Sequence, residues 1–144
     1  MDINQRVENL ISDFSKFDDW EDRYKYIIGL GKELAPMDEE LKNEANKVKG
    51  CQSQVWLFAE LNEGKITFSA DSDAAIVKGI VSILVQVYSN STPEEVLQTK
   101  PDFLDTIGLR QHLSMSRANG LSSMVKQISM YALAFQTKIK MGMA

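Results

Sequence analysis

The sequence predicts an α+β domain, a small antiparallel sheet packed with several helices. Three observations predict it. Apolar residues recur at helical spacing towards both ends of the chain. Between Gln54 and Ala70 a period of two takes over, broken once by the turn signal Asn62-Glu63-Gly64. The segment after it, to about Tyr88, is apolar almost all round, the pattern of a helix at the centre of a fold. At 144 residues the chain suits one domain, 1–144, that buries about two-thirds of its unfolded surface.

Each element has its own signal. Ile3, Val7, Leu10, Ile11 and Phe14 mark an amphipathic first helix. Asp18-Asp19 opens the second, where Glu21 completes a capping box with Asp18. Trp20, Tyr24, Ile27 and Ile28 form its apolar face, and Gly31 is a natural C-terminal stop. Met37 to Lys49 is charged and weakly apolar, a short helix or an extended connector. Val55, Leu57, Ala59 and Leu61 then alternate with polar and aromatic residues, as do Ile66, Phe68 and Ala70, so a β-hairpin is expected. Trp56 and Phe58 on the opposite face suggest that this face is also partly covered. Asp71-Ser72-Asp73 is placed to cap the central helix. Ser91-Thr92-Pro93-Glu94-Glu95 starts a short helix, Asp102-Phe103-Leu104 another. Leu121, Met124, Ile128, Ala132 and Phe135 mark a long C-terminal helix, with a frayed tail expected over about 138–144.

Composition narrows the function. The formal net charge of −4, with lysines and arginines scattered, argues against a nucleic-acid partner. One cysteine forms no internal disulfide. The polar first residues are wrong for a signal peptide, and the longest mostly apolar stretch, 74–87, is short of the ~20 residues a bilayer demands. The chain reads as soluble and cytoplasmic. With one cysteine and one histidine, His112, no Cys/His zinc set or multi-thiolate cluster site can be assembled from it. No glycine-rich phosphate loop follows a strand. No metal or bound cofactor is expected.

What remains is the thiol of Cys51, in Lys47-Val48-Lys49-Gly50-Cys51-Gln52-Ser53-Gln54-Val55-Trp56. A lone cysteine is ordinarily a small buried hydrophobe. Here a glycine precedes it and three polar residues follow, so it falls on a loop leading into a strand. Reaction needs thiolate character, which nearby cations supply. Lys47 and Lys49 are close in the chain, although an alternating segment points them into water. His112 and Arg117 lie in a polar stretch, 109–121, that also reads as an ordinary loop and helix cap. From these residues alone three readings stand: a reactive transfer thiol, a cysteine hydrolase pairing Cys51 with His112, or a structural adaptor with an incidental thiol.

Several blocks together resemble the SufE family of sulfur acceptors (SufE/CsdE). They are Trp20-Glu21 with Tyr24, the run Tyr26-Ile27-Ile28-Gly29-Leu30-Gly31, the motif Gly50-Cys51-Gln52-Ser53-Gln54-Val55-Trp56, and Asp71-Ser72-Asp73-Ala74-Ala75-Ile76-Val77-Lys78-Gly79. His112-Leu113, Ser116-Arg117 and Gly120-Leu121 continue the match. The resemblance implies an α+β fold shared with the scaffold protein of the same pathway (SufE/IscU-like). It implies a partner, a SufS-like cysteine desulfurase that uses pyridoxal phosphate, from which Cys51 would take sulfur as a transient covalent persulfide. It also implies stimulation of that enzyme rather than independent activity, and delivery to a downstream iron–sulfur scaffold. Asp73 then answers to a residue near the acceptor loop, and Arg117 to one close to the cysteine. His112, Gln52 and Gln54 become supports of the loop or contacts of the partner, and Gly50 a hinge. Lys78 and Trp20 match with structural duties. Monomer and homodimer both remain open.

Overall fold

The computed structural model describes residues 1–142. Two helices open the chain, α1 (Ile3–Phe14) and α2 (Trp20–Lys32). The Asp2 carboxylate accepts from the Gln5 N–H at 2.9 Å, and the Gln5 side chain accepts in return from the Asp2 N–H. Asp19, not Asp18, caps α2, accepting from the Asp22 N–H at 2.9 Å. The expected Asp18–Glu21 box is therefore replaced by a cap one residue later.

Gly31 does not stop α2 either, since the helix continues to Lys32. Its role is a close approach to the central helix, α3 (Ala75–Tyr88). A Cβ at Gly31 would stand 2.7 Å from the Gly79 nitrogen, and one at Gly79 would stand 2.1 Å from the Ile27 carbonyl oxygen. The two backbones touch, so only glycine fits at this crossing. α3 is buried along its length, with Ile80, Ile83, Leu84 and Val87 each at most 2% exposed.

β1 (Val55–Asn62) and β2 (Lys65–Ser72) form the antiparallel hairpin, with Val55 opposite Ser72 and Asn62 opposite Lys65. Glu63 and Gly64 both take left-handed backbone angles (φ 51° and 81°), the geometry that matches the twist of a two-residue hairpin turn. Val55, Leu57, Ile66, Phe68 and Ala70 face the core. Trp56 and Phe58 are half-buried on the other face. Both edges of the hairpin are covered by single bridges, Lys47 to Trp56 and Ser91 to Ile66.

The connector before β1 contains two short 3-10 turns, Glu39–Leu41 and Glu44–Asn46, and then runs extended. The Val48 N–H donates to the Val55 carbonyl at 2.8 Å, so residues 48 and 55 close the base of the Cys51 loop. Asp71 pins the connector: Lys42 Nζ lies 2.7 Å and Lys78 Nζ 3.3 Å from its carboxylate. Burial alone would raise the Asp71 carboxyl. Hydrogen bonds from Lys42, the Ser72 N–H and Lys78 outweigh it and hold the group below the usual aspartate range.

Asp71-Ser72-Asp73 is thus not the side-chain cap that the sequence suggests. Ala74 is the N-cap residue of α3 and provides no side-chain hydrogen bond. The local bonds of this motif stop short of the helix: the Asp71 carboxylate accepts from the Ser72 N–H at 2.8 Å and the Ser72 hydroxyl from the Ala74 N–H at 3.3 Å. The remaining helices are α4 (Pro93–Gln98), α5 (Asp102–Thr106), α6 (Leu109–His112) and α7 (Met115–Lys140). Thr92 and Glu95 form the capping box of α4 with Pro93 in its first turn, as its sequence signals. α7 starts six residues before Leu121 and continues through Lys138 to Lys140, into the segment expected to fray. Residues 143 and 144 lie outside the described residues. No described helix is long and apolar enough to cross a membrane.

Candidate functional site

The Cys51 loop lies across α7. Gly50 precedes the thiol with φ of +88°, left-handed backbone that glycine adopts freely. A Cβ there would meet Ser123 Oγ at 2.8 Å. The Cys51 thiol donates to the Gly120 carbonyl, Sγ to oxygen 3.7 Å. Gly120 is buried, and its missing side chain is what lets the sulfur approach: a Cβ would stand 3.2 Å from Sγ. The loop is therefore seated on two successive turns of α7.

Beyond the sulfur lies a cavity of about 80 Å³. The loop contributes Cys51, Gln52 and Ser53, α3 contributes Val77 and Ile80, and α7 contributes Ser116, Arg117, Gly120 and Met124. Its apolar floor explains the state of the thiol. Burial disfavours the thiolate and pushes the Cys51 thiol above its ordinary pKa. At rest Cys51 is a protonated, half-buried thiol.

Asp73 holds the far end of the loop. Its carboxylate accepts from the Gln54 N–H at 3.0 Å, and its own N–H donates to the Gln54 carbonyl at 3.3 Å. Exposed Asp73 and Gln54 thus form a two-bond clasp between the loop and the start of α3, the outcome of the acidic motif that the sequence presents as a cap. Gln52, also exposed, reaches the cavity rim. Arg117 stands in the first turns of α7, where its N–H is capped by Ser114 Oγ at 3.3 Å. Its exposed side chain lines the cavity and enters no salt bridge among the described residues.

His112 is not brought to the thiol cavity. Its ring stacks on Trp20, centroids 4.4 Å apart and planes 9° apart. Nδ1 donates to the Gly108 carbonyl at 2.8 Å, which fixes the tautomer because a carbonyl only accepts. The pair ties α2 to α6, immediately ahead of α7. The base and thiol of a cysteine hydrolase are not assembled here. Lys78 is engaged by Asp71, and Lys47 by Glu44 at 3.7 Å.

Sequence reasoning missed Val77, Ile80, Gly120 and Met124 as walls of the site, and Ser123 as the seat of Gly50. Gly120 falls in the polar stretch that reads as a loop and helix cap, where a glycine signals no more than a turn. Val77, Ile80 and Met124 look like ordinary core residues, and Ser123 like an ordinary polar position on a helix.

Comparison with known proteins gives a consistent picture. The model of the family described as "SufE: Fe-S metabolism associated domain" matches residues 8–132. An uncharacterized SufE-like protein of Synechocystis sp. is 42% identical over 130 residues, spanning 90% of this chain and 82% of the relative. One from Rhizobium meliloti is 44% identical over 129 residues, spanning 85% of this chain and 91% of the relative. The solution structure of a hypothetical protein from Thermus thermophilus superposes with a TM-score of 0.77 at 20% identity, over 92% of this chain and 96% of that one, which shows a shared fold. With its motif, its architecture and a family match spanning most of its length, the chain belongs to the SufE family, a family associated with iron–sulfur metabolism.

Proposed function

We propose that the protein accepts sulfur from a pyridoxal-phosphate-dependent cysteine desulfurase onto Cys51, stimulates that enzyme, and passes the sulfur on for iron–sulfur cluster assembly. The observation that carries this reading is a single thiol poised over a cavity that contains no other thiol and no imidazole. The transfer is an exchange between sulfurs. Cys51 loses its proton, and the thiolate attacks the outer sulfur of the donor's cysteine persulfide. The donor's S–S bond breaks as the new one forms. The donor thiolate leaves with the electron pair and takes up the proton. A persulfide and a thiol become a thiol and a persulfide, with no net oxidation.

The cavity suits the product. A water molecule occupies about 30 Å³, and one added sulfur is of similar size, so Cys51–S–SH fits beneath the loop. No neighbouring thiol can resolve it to a disulfide, because the chain has no second cysteine. Loop opening would expose the thiol to the donor, where Arg117 at the rim would favour the thiolate. Gln52 and Gln54 are placed to contact the partner.

Mass spectrometry tests the proposal. Incubation with desulfurase, pyridoxal phosphate and cysteine should add one or more sulfur atoms, about 32 Da each, to Cys51 and none to Cys51→Ser. Desulfurase turnover should rise with the wild-type protein only. Absence of added mass on the wild type would remove the reading.

A further inference from the structure

α7 borders a second hollow, on the other side of the Cys51 loop from the cavity. Ser123, Lys126, Gln127 and Met130 line it at i, i+3, i+4 and i+7, one face of a helix. The opposite bank is the segment 44–49, which is bridged to β1 at Lys47 and turns at Lys49 into the Cys51 loop. Val48 turns into the core at 5% exposure, while Lys47 before it and Lys49 at the turn after it stand outside the core. Both line the hollow, a groove of about 540 Å³.

The charge of this groove runs against that of the chain. Three ammonium groups border it in a protein of net charge −4. Glu44 is its one acid, an exposed carboxylate 3.7 Å from Lys47. Lys49 and Lys126 enter no salt bridge among the described residues. Met130, 54% exposed, adds an apolar contact. The groove also begins at the thiol loop, because Ser123 is the residue on which Gly50 rests.

We propose that this groove docks an acidic segment of the sulfur-donating protein, anchored by an apolar side chain against Met130. The inference rests on the sulfur-acceptor reading and deepens it by naming the docking surface. Charge complementarity selects an acidic occupant and speeds its encounter. The exposed methionine and the acidic remainder of the chain favour a peptide over a nucleic-acid backbone, which needs a broader run of cations. A segment seated there lies against the base of the loop, so docking and displacement of the Gly50–Ser123 contact become one event.

The test is the rate of persulfide formation on Cys51 by a cysteine desulfurase, as a function of acceptor concentration. K47E/K49E/K126E should raise the half-saturating concentration about tenfold, and the neutral K47Q/K49Q/K126Q by less. K138E, at the far end of α7, should change nothing. Raising salt from about 0.1 M to about 1 M, which shortens the screening length from about 10 Å to about 3 Å, should weaken the wild type and spare the charge-reversed variant. Near-ultraviolet circular dichroism should be alike in all of them, showing an intact fold. Unchanged half-saturation in both triple variants, with the wild type active, would overturn the groove and leave the acceptor reading standing. A wild type that takes no sulfur from the desulfurase would overturn both. Binding of a labelled single-stranded oligonucleotide, lost on charge reversal, would overturn the peptide occupant.

Discussion

Gly120 and Cys51 meet where a side chain would otherwise be: the Cβ that an alanine would carry at 120 lies 3.2 Å from the Cys51 sulfur. The two effects of Gly120→Ala oppose each other. Alanine favours the helix interior by about 1 kcal/mol, while the added methyl pushes on a sulfur whose loop can yield. Global stability should therefore stay within about 1 kcal/mol of wild type. The thiol should be displaced, and its alkylation by iodoacetamide at neutral pH should accelerate severalfold. A slower reaction would show that the loop tightens instead.

Gly50→Ala tests the hinge. Left-handed backbone costs a non-glycine residue about 1–2 kcal/mol, and the new Cβ would also press on Ser123 Oγ. Sulfur acceptance should fall further than this loss of stability accounts for. Gly50→Ala/Ser123→Ala separates the two causes by removing the pressing hydroxyl. Recovery of stability without recovery of transfer supports the hinge; parallel recovery assigns the defect to crowding.

Asp73→Ala should release the Gln54 N–H and cost less than about 1 kcal/mol, because the clasp is exposed. Its effect should be local: faster amide exchange at Gln54 and faster alkylation of Cys51. Asp73→Asn retains an acceptor oxygen and should restore slow exchange.

The raised thiol pKa sets a pH dependence of definite sign. The folded state keeps its proton where the unfolded chain, near pH 8.5, has begun to lose it. The stability contributed by Cys51 is therefore full below the unfolded value and is lost as pH rises through the folded one. The melting temperature of the wild type relative to Cys51→Ser should fall over that alkaline window and stay constant at neutral pH. Iodoacetamide reactivity of the native protein should also titrate above that of the urea-unfolded chain.

Gly79→Ala should be severe, about 3 kcal/mol or more, since its Cβ would enter the Ile27 carbonyl at 2.1 Å. Chemical denaturation would measure it. A mild effect would mean that α2 and α3 can separate without loss of packing.

These glycines also mark how far the sequence could be read. Helical spacing placed α1 and α3, alternation and Asn62-Glu63-Gly64 placed the hairpin, and Thr92-Pro93-Glu94-Glu95 placed α4, because each signal is local. Gly31 reads as a helix stop from its neighbours, yet its partner, Gly79, lies far along the chain, and only the fold brings the backbones together. Asp71 and Asp73 sit where caps belong, but tertiary partners, Lys42, Lys78 and Gln54, claim their carboxylates. The first turns of α7 are polar because they line a cavity and meet solvent, which hides their helicity from a search for apolar periodicity. Cys51 stood out on the chain itself; the company it keeps on α3 and α7 did not.

The bond between Val48 and Val55 sets a length. Cys51 is three residues from one anchor and four from the other, and a fully extended residue spans at most about 3.5 Å. The thiol-bearing residue therefore travels no more than about 10 Å from the base of the hairpin while those anchors hold. A donor sulfur at the bottom of a deeper well lies out of range. If Cys51 takes sulfur from a partner as proposed, that partner would have to present it near the mouth of its active site or carry it outward on an arm of its own, and the leash on Cys51 would set the depth of the pocket it can serve.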